Sequence, residues 1–190
     1  MSKFKAKNMS KLDSPERRKM LPTDKALKLI GIQQGMKVAD VGCGTGYFSL
    51  PMAEIVGEEG KIFAIDISTQ MLQETKRRVE EAGHSNVEIV SSGENNFKIK
   101  DKSADMVFTS TVFHEVSHPE DFLTECKRIM KDEGSIIILD WNKIESEVGP
   151  PVHIRISVET LETYGKKVGL KTQSVAYFGR NFYIVKMILN

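Results

Sequence analysis

The sequence predicts a doubly wound α/β fold, with a mostly parallel sheet of about seven strands closed by an antiparallel C-terminal hairpin. Three observations predict it. From residue 37 onward, short apolar runs alternate with stretches of helical periodicity. A glycine cluster sits between the first apolar run and the helix after it. Two segments near the C-terminus, 171–178 and 182–189, read as alternating and are joined by a Gly-containing turn at 179–181.

Taken in order, residues 1–9 are polar and Lys-rich and read as an arm. Residues 12–20 carry a helix start, with Asp13 or Ser14 as cap, Pro15 in the first turn and Glu16 near the positive helix end. Leu21 and Pro22 end it. A second helix follows, with Thr23 as cap and a stripe of Ala26, Leu27, Leu29 and Ile30 that closes before Gly31 and Gly35. Strands are predicted over 37–41, 61–66, 87–91, 104–109 and 134–141. Helices are predicted over 47–56, 68–82, 119–130 and 157–168, the last capped by Ser157. The hairpin takes 171–178 and 182–189. The chain thus divides into an N-terminal arm and helix, 1–22, and one α/β domain, 23–190.

Bulk properties agree with that reading. A chain of 190 residues can bury a full sheet between two helical layers, and 40% hydrophobic with 28% charged residues excludes a disordered or fibrous chain. Lys plus Arg number 27 against 26 Asp plus Glu, a net charge of +1, so no global field recruits nucleic acid. No apolar run approaches the ~18 residues of a bilayer span, and the N-terminus lacks a signal-peptide core. A cytoplasmic protein without a membrane partner is expected. Cys43 and Cys126 lack metal-ligand spacing and read as free thiols, so neither a disulfide framework nor a metal site is expected.

The run Asp40-Val41-Gly42-Cys43-Gly44-Thr45-Gly46 follows the first strand and opens the next helix. Glycine allows a tight turn and close approach to a ligand, and a helix start presents unpaired N–H groups. Asp66 closes the next strand about 20 residues later, where a carboxylate can accept both hydroxyls of a ribose. Dinucleotide sites use GxGxxG, and this chain has GxGxG. A plain tight turn is the competing account of the glycines alone.

The D-V-G-C-G-T-G pattern resembles the first motif of class I S-adenosylmethionine-dependent methyltransferases, which share a Rossmann-like fold, and the resemblance extends over roughly residues 37–143. It implies S-adenosyl-L-methionine as cofactor, with the loop of Asp40, Gly42, Gly44 and Gly46 facing its methionyl part. Asp66 would meet the ribose, and Ile67 and Met71 the faces of the purine. Gly93 and Glu94 stand where the family meets the adenine edge, although its usual Asp-Ala pair is absent. Backbone groups around Thr109 and Ser110 would meet the methionine end. Asp132-Glu133-Gly134 replaces the family's common Lys-Pro-Gly-Gly turn. The nearest relatives suggested are the small methyltransferases similar to the ubiquinone and menaquinone biosynthesis group. In such enzymes an N-terminal helix, here with Glu16, Arg17, Arg18 and Leu21, serves as a cover; a solvated basic helix is the competing account.

A sulfonium methyl is already activated, so the protein mainly holds a nucleophile in line and keeps water out; a base is needed when the acceptor is a hydroxyl or a protonated amine. The candidates after the fourth and fifth strands are His114, Glu115, His118, Asp140, Trp141, His153 and Arg155. His114 is read as the base, because imidazole titrates near neutrality. Its alternative is a cap or a backbone hydrogen bond. Trp141 reads as an apolar wall or as ordinary packing. The stretch from Val148 to Arg155, stiffened by Pro150 and Pro151, reads as a substrate lid in which Arg155 clamps an anionic acceptor or pairs with an acidic neighbour. Lys76, Arg77 and Arg78 read as an exposed helix face.

The leading expectation is methyl transfer to a small-molecule acceptor, with the acceptor atom and the oligomeric state open. An RNA or protein methyltransferase, a nicotinamide-dependent oxidoreductase and a non-catalytic binding module are the alternatives. The first would need a basic stripe or an N-P-P-Y-like clamp that residues 109–112 do not show, and the second is disfavoured by the missing Tyr-x-x-x-Lys dyad.

Overall fold

Strands covered by helices on both faces need mostly apolar residues, and the central runs read as strands have them between polar ends. In the structure, a computed structural model that describes residues 13–190, they become β1 (Lys37–Val41), β2 (Lys61–Asp66), β3 (Val87–Ser91), β4 (Ala104–Ser110) and β5 (Met130–Trp141). These five run parallel, and β6 (Leu170–Phe178) and β7 (Phe182–Leu189) add the antiparallel hairpin. The order across the sheet is β3-β2-β1-β4-β5-β7-β6. The chain steps outward from β1 to β3, then returns to lay β4 on the other side of β1. A crevice opens at the carboxyl ends of strands where the winding reverses in this way.

Six α-helices are described: α1 (Pro15–Met20), α2 (Thr23–Ile30), α3 (Ser49–Val56), α4 (Thr69–Ala82), α5 (Pro119–Ile129) and α6 (Val158–Lys167). Strand alternation sorts the core into two layers. Leu27, Ile30, Met52 and Val56 of α2 and α3 pack on Val38, Met106, Phe108 and Ile137. Phe122, Cys126 and Leu161 of α5 and α6 pack on Ala39, Val107, Ile136 and Ile138 from the opposite side. Each such side chain contributes roughly 1.5–3 kcal/mol on full burial. Leu72 of α4 joins Ala64 and Cys43. Among the described residues, no helix is long and apolar enough to cross a membrane.

The helix signals act mostly as read. Ser14 caps α1 by accepting the Arg17 N–H, Ser68 caps α4, Ser157 caps α6, and Gly31 and Gly83 end α2 and α4 in the left-handed region. Thr23 does not cap α2: Pro22 is the N-cap residue, no side chain bonds there, and Thr23 is the first helical residue. The strand-to-helix turn runs through Phe48, so α3 starts at Ser49 and not at 47. β5 starts at Met130, earlier than 134, because Met130 pairs with Ala104 and Ser135 with Met106 across a bulge. The arm expected at 1–9 lies outside the described residues.

Candidate active site

A cavity of about 890 Å³ opens at the carboxyl ends of β1, β2, β4 and β5. Its floor is the glycine loop, in which Gly42, Gly44 and Gly46 have φ of 76°, 57° and 81°, a region other residues avoid. A side chain at Gly42 would also place its Cβ 2.5 Å from Val112 Cγ2. Asp66 locks the loop, because its carboxylate accepts the Gly44 N–H at 2.9 Å and the Ser68 N–H at 2.8 Å. Burial raises its pKa, against the pull of those two N–H groups. Gly44 and Gly42 line the cavity, with Ile67, Met71, Gly93 and Glu94 at the end beside Asp66. Glu94 also accepts the Ser117 N–H at 2.6 Å, tying that end to the loop after β4.

Asp40 lies beneath the glycines, 2% exposed, and accepts the Ser49 hydroxyl at 2.5 Å. Burial pushes its pKa up to about 7; the Ser49 bond opposes the rise and the Asp66 charge adds to it. The folded protein therefore binds this proton more tightly than the unfolded chain, so stability falls as pH rises from about 4 to about 7. Asp40→Asn removes that penalty, at most ~4 kcal/mol for a shift near three units. Thermal melts should show the variant gaining Tm over the parent at pH 8 but not near pH 4.

On the far side, β4 ends at Ser110, and Thr111 follows with φ 56°. A β-branched residue in the left-handed region is strained backbone. The turn delivers His114, which is 6% exposed and lines the cavity. Asp140, at the end of β5, accepts the His114 backbone N–H at 3.0 Å and lies 2.7 Å from Nδ1. The Trp141 N–H donates to the same carboxylate at 2.7 Å. A carboxylate facing Nδ1 fixes the neutral tautomer with the proton there and the lone pair on Nε2, 3.8 Å from Glu115 Oε1. Burial depresses the His114 pKa, but the bond to Asp140 and the charges of Asp140 and Glu115 outweigh it, and the net shift is upward.

Three site residues read from the sequence are placed elsewhere. Gly46 does not line the cavity; a Cβ there would meet Leu50 and Thr75, so this glycine serves loop-to-helix packing. Thr109 is buried behind the wall at 1% exposed, and Ser110 and Thr111 are the β4-end residues that reach the cavity. Arg155 is neither an anion clamp nor half of an acid pair. Its guanidinium bonds Pro150 O, Asn142 O, Ile144 O, Ser146 Oγ and Val148 O at 2.8–3.1 Å, 5.3 Å from the centre of the Trp141 ring. It holds the loop whose Val148, Gly149 and Pro150 wall the cavity beside Trp141. His118 and His153 are exposed.

Helix α1 covers the cavity with Ser14, Glu16, Arg17 and Met20. Arg17 donates to Thr111 Oγ1 at 3.3 Å and lies over the Tyr47 ring, while the Tyr47 hydroxyl donates to Leu21 O at 2.7 Å. Sequence reasoning named α1 but did not separate Arg17 from Arg18, and it passed over Thr111 and Val112. A threonine in the left-handed region carries no local signal.

A family model described as a methyltransferase domain matches residues 32–173. The chain is 30% identical over 125 residues to the demethylmenaquinone methyltransferase of Bacillus velezensis, 64% of this chain and 52% of that protein. It is 27% identical over 157 residues to the ubiquinone/menaquinone biosynthesis C-methyltransferase of Pseudomonas savastanoi, 82% of this chain and 61% of that protein. The chain thus spans little more than half the length of these curated relatives. The crystal structure of a SAM dependent methyltransferase from Aquifex aeolicus superposes with a TM-score of 0.94 at 34% identity, covering 98% of this chain and 100% of that one.

Proposed function

This chain belongs to the methyltransferase domain family, and from that membership we propose that it transfers the methyl group of S-adenosylmethionine to a small-molecule acceptor by in-line displacement. The observation that carries the reading is the glycine loop locked on Asp66 at the floor of the 890 Å³ cavity. The residues present fit the cofactor. Gly42 leaves backbone exposed where a Cβ would collide, and Thr45 Oγ1 and Ser110 Oγ are buried at the cavity wall without a partner. Asp66 would take the ribose hydroxyls, Ile67 and Met71 the purine, and the backbone of Gly42 and Gly44 the methionyl part, above the carboxylate of Asp40.

When bound, the cofactor supplies an electrophilic methyl group on a sulfonium. The chain's own residues orient the acceptor, exclude water and hold its proton. Trp141, Phe122, Val148 and Pro150 offer apolar walls, and His114 Nε2 accepts a proton while Asp140 steadies the imidazolium. The relatives named for quinone biosynthesis support an apolar, ring-bearing acceptor. On α4, Arg77 pairs with Glu74 and Glu81, and Arg78 with Glu74 and Asp13, so the charge of this run is offset locally, which supports a small-molecule acceptor over RNA.

The test is isothermal calorimetry with S-adenosylmethionine and, separately, with NADH. Micromolar binding of the first is expected, with at least a tenfold loss in Asp66→Ala, which removes charge-assisted hydrogen bonds. Binding of NADH alone would transfer the site to hydride chemistry.

A further inference from the structure

The cavity holds a cation that no carboxylate among the described residues pairs with. Arg17 projects from α1 to a place between Tyr47, ahead of α3, and Thr111, just after β4. Of its guanidinium nitrogens only Nη2 is engaged among the described residues, donating to Thr111 Oγ1; Nε is buried with no acceptor there, and no bond from Nη1 to a described residue is formed. No carboxylate among the described residues lies within ion-pair reach of it. Asp13, nearby in sequence, is held by Arg18 and Arg78 at 2.7 and 2.6 Å. Burial lowers the Arg17 pKa, with Tyr47 and Asp13 opposing, yet an arginine stays charged in any protein setting. A half-buried charge with a buried donor left unbonded is held at a cost that an anion in the cavity would relieve. The planar fork is also held in place, by the Tyr47 ring beneath it and by Thr111, itself fixed by its N–H to Leu139 O at 2.8 Å.

We propose that Arg17 is an anchor for a carboxylate that enters this cavity with a ligand, drawn from α1 across the boundary between the cofactor and acceptor ends. The inference rests on the methyltransferase reading, in which two sources offer that group: the amino-acid carboxylate of the cofactor, or an anionic substituent of the acceptor. Both present the same planar pair of oxygens to the guanidinium. Glu16, the acidic residue of α1 that also lines the cavity, is exposed, so it does not take the partner's place.

Calorimetry on the full chain separates the outcomes, using S-adenosylmethionine, 5′-methylthioadenosine, which keeps the nucleoside but lacks the amino-acid group, and benzoate with and without S-adenosylhomocysteine. If the cofactor is the source, Arg17→Ala weakens S-adenosylmethionine about 10- to 100-fold and leaves 5′-methylthioadenosine unchanged, and Arg17→Lys recovers part of the loss. If the acceptor is the source, both nucleosides bind the variant as they bind the parent, and benzoate binding disappears. Equal weakening of both nucleosides would reduce Arg17 to a strut for the cover helix and overturn the proposal, as would no change with any probe. A parent protein that binds neither nucleoside defeats the methyltransferase reading instead, and benzoate alone then decides on Arg17.

Discussion

Replacing His114 with alanine is expected to lower kcat by about 10²- to 10⁴-fold while changing the affinity for S-adenosylmethionine little, for an acceptor that must lose a proton. The ring is buried in the cavity wall, with Nδ1 committed to Asp140. The pH profile carries the sharper test. Transfer needs the neutral ring, and because Asp140 and Glu115 raise the His114 pKa, the rate should rise with pH through a midpoint above the ordinary histidine value near 6.5. Asp140→Asn removes the first-named of those supports and should move the midpoint down as kcat falls. Stability runs the other way. A raised histidine pKa contributes stability that is fully present below about 6.5 and is lost as pH rises through the folded-state value. The protein should therefore gain rate and lose His114–Asp140 stabilisation across the same interval. A profile that is flat from pH 6 to 9, with kcat unchanged in His114→Ala, would remove the base from the mechanism.

The second large effect is on stability. Arg155→Ala withdraws donors from four backbone carbonyls and one hydroxyl, all in residues 142–150. Stranded polar groups around a vanished buried charge cost roughly 3 kcal/mol or more unless the loop opens to water. Lysine cannot substitute, since a single ammonium has three donors where five contacts are made. The chain has one tryptophan, Trp141, which packs against Gly149 of that loop, so its fluorescence reports the loop directly. The expected result is a lower urea midpoint, with a tryptophan signal that shifts before the far-ultraviolet circular dichroism does. An unchanged midpoint would mean that the loop is held by something other than Arg155.

What was legible in the sequence is what local chemistry dictates. Strand positions follow from apolar runs that a doubly covered sheet demands, and the bounds of β1, β2, β3 and β7 coincide with the runs in the sequence. The glycine loop and Asp66 were legible because left-handed backbone and a strand-end carboxylate leave residue-type signatures. Arg155 was not, because its choice between a ligand and five loop acceptors depends on how residues 142–150 fold back, which no spacing encodes. Of the pair Thr109 and Ser110, the second, where the strand ends, reaches the cavity, and Thr109 is buried one position earlier. Gly46 shares the left-handed backbone of the loop, but the side where a Cβ would stand faces Leu50 and Thr75 of the neighbouring helices.

The strand order bears on how the chain comes to be folded. β5 receives β7, the last strand of the sequence, along the edge opposite β4, and the paired stretch runs from Ile136 to Trp141. Until residues 182–189 have been synthesised, that edge, carrying Ile136, Ile137, Ile138 and Leu139, has no neighbour. An apolar, unpaired strand edge is a template for pairing with other chains. The segment that finishes the sheet is thus also the one that ends a period of vulnerability to aggregation, and its late arrival in the chain puts long-range pairing at the close of folding.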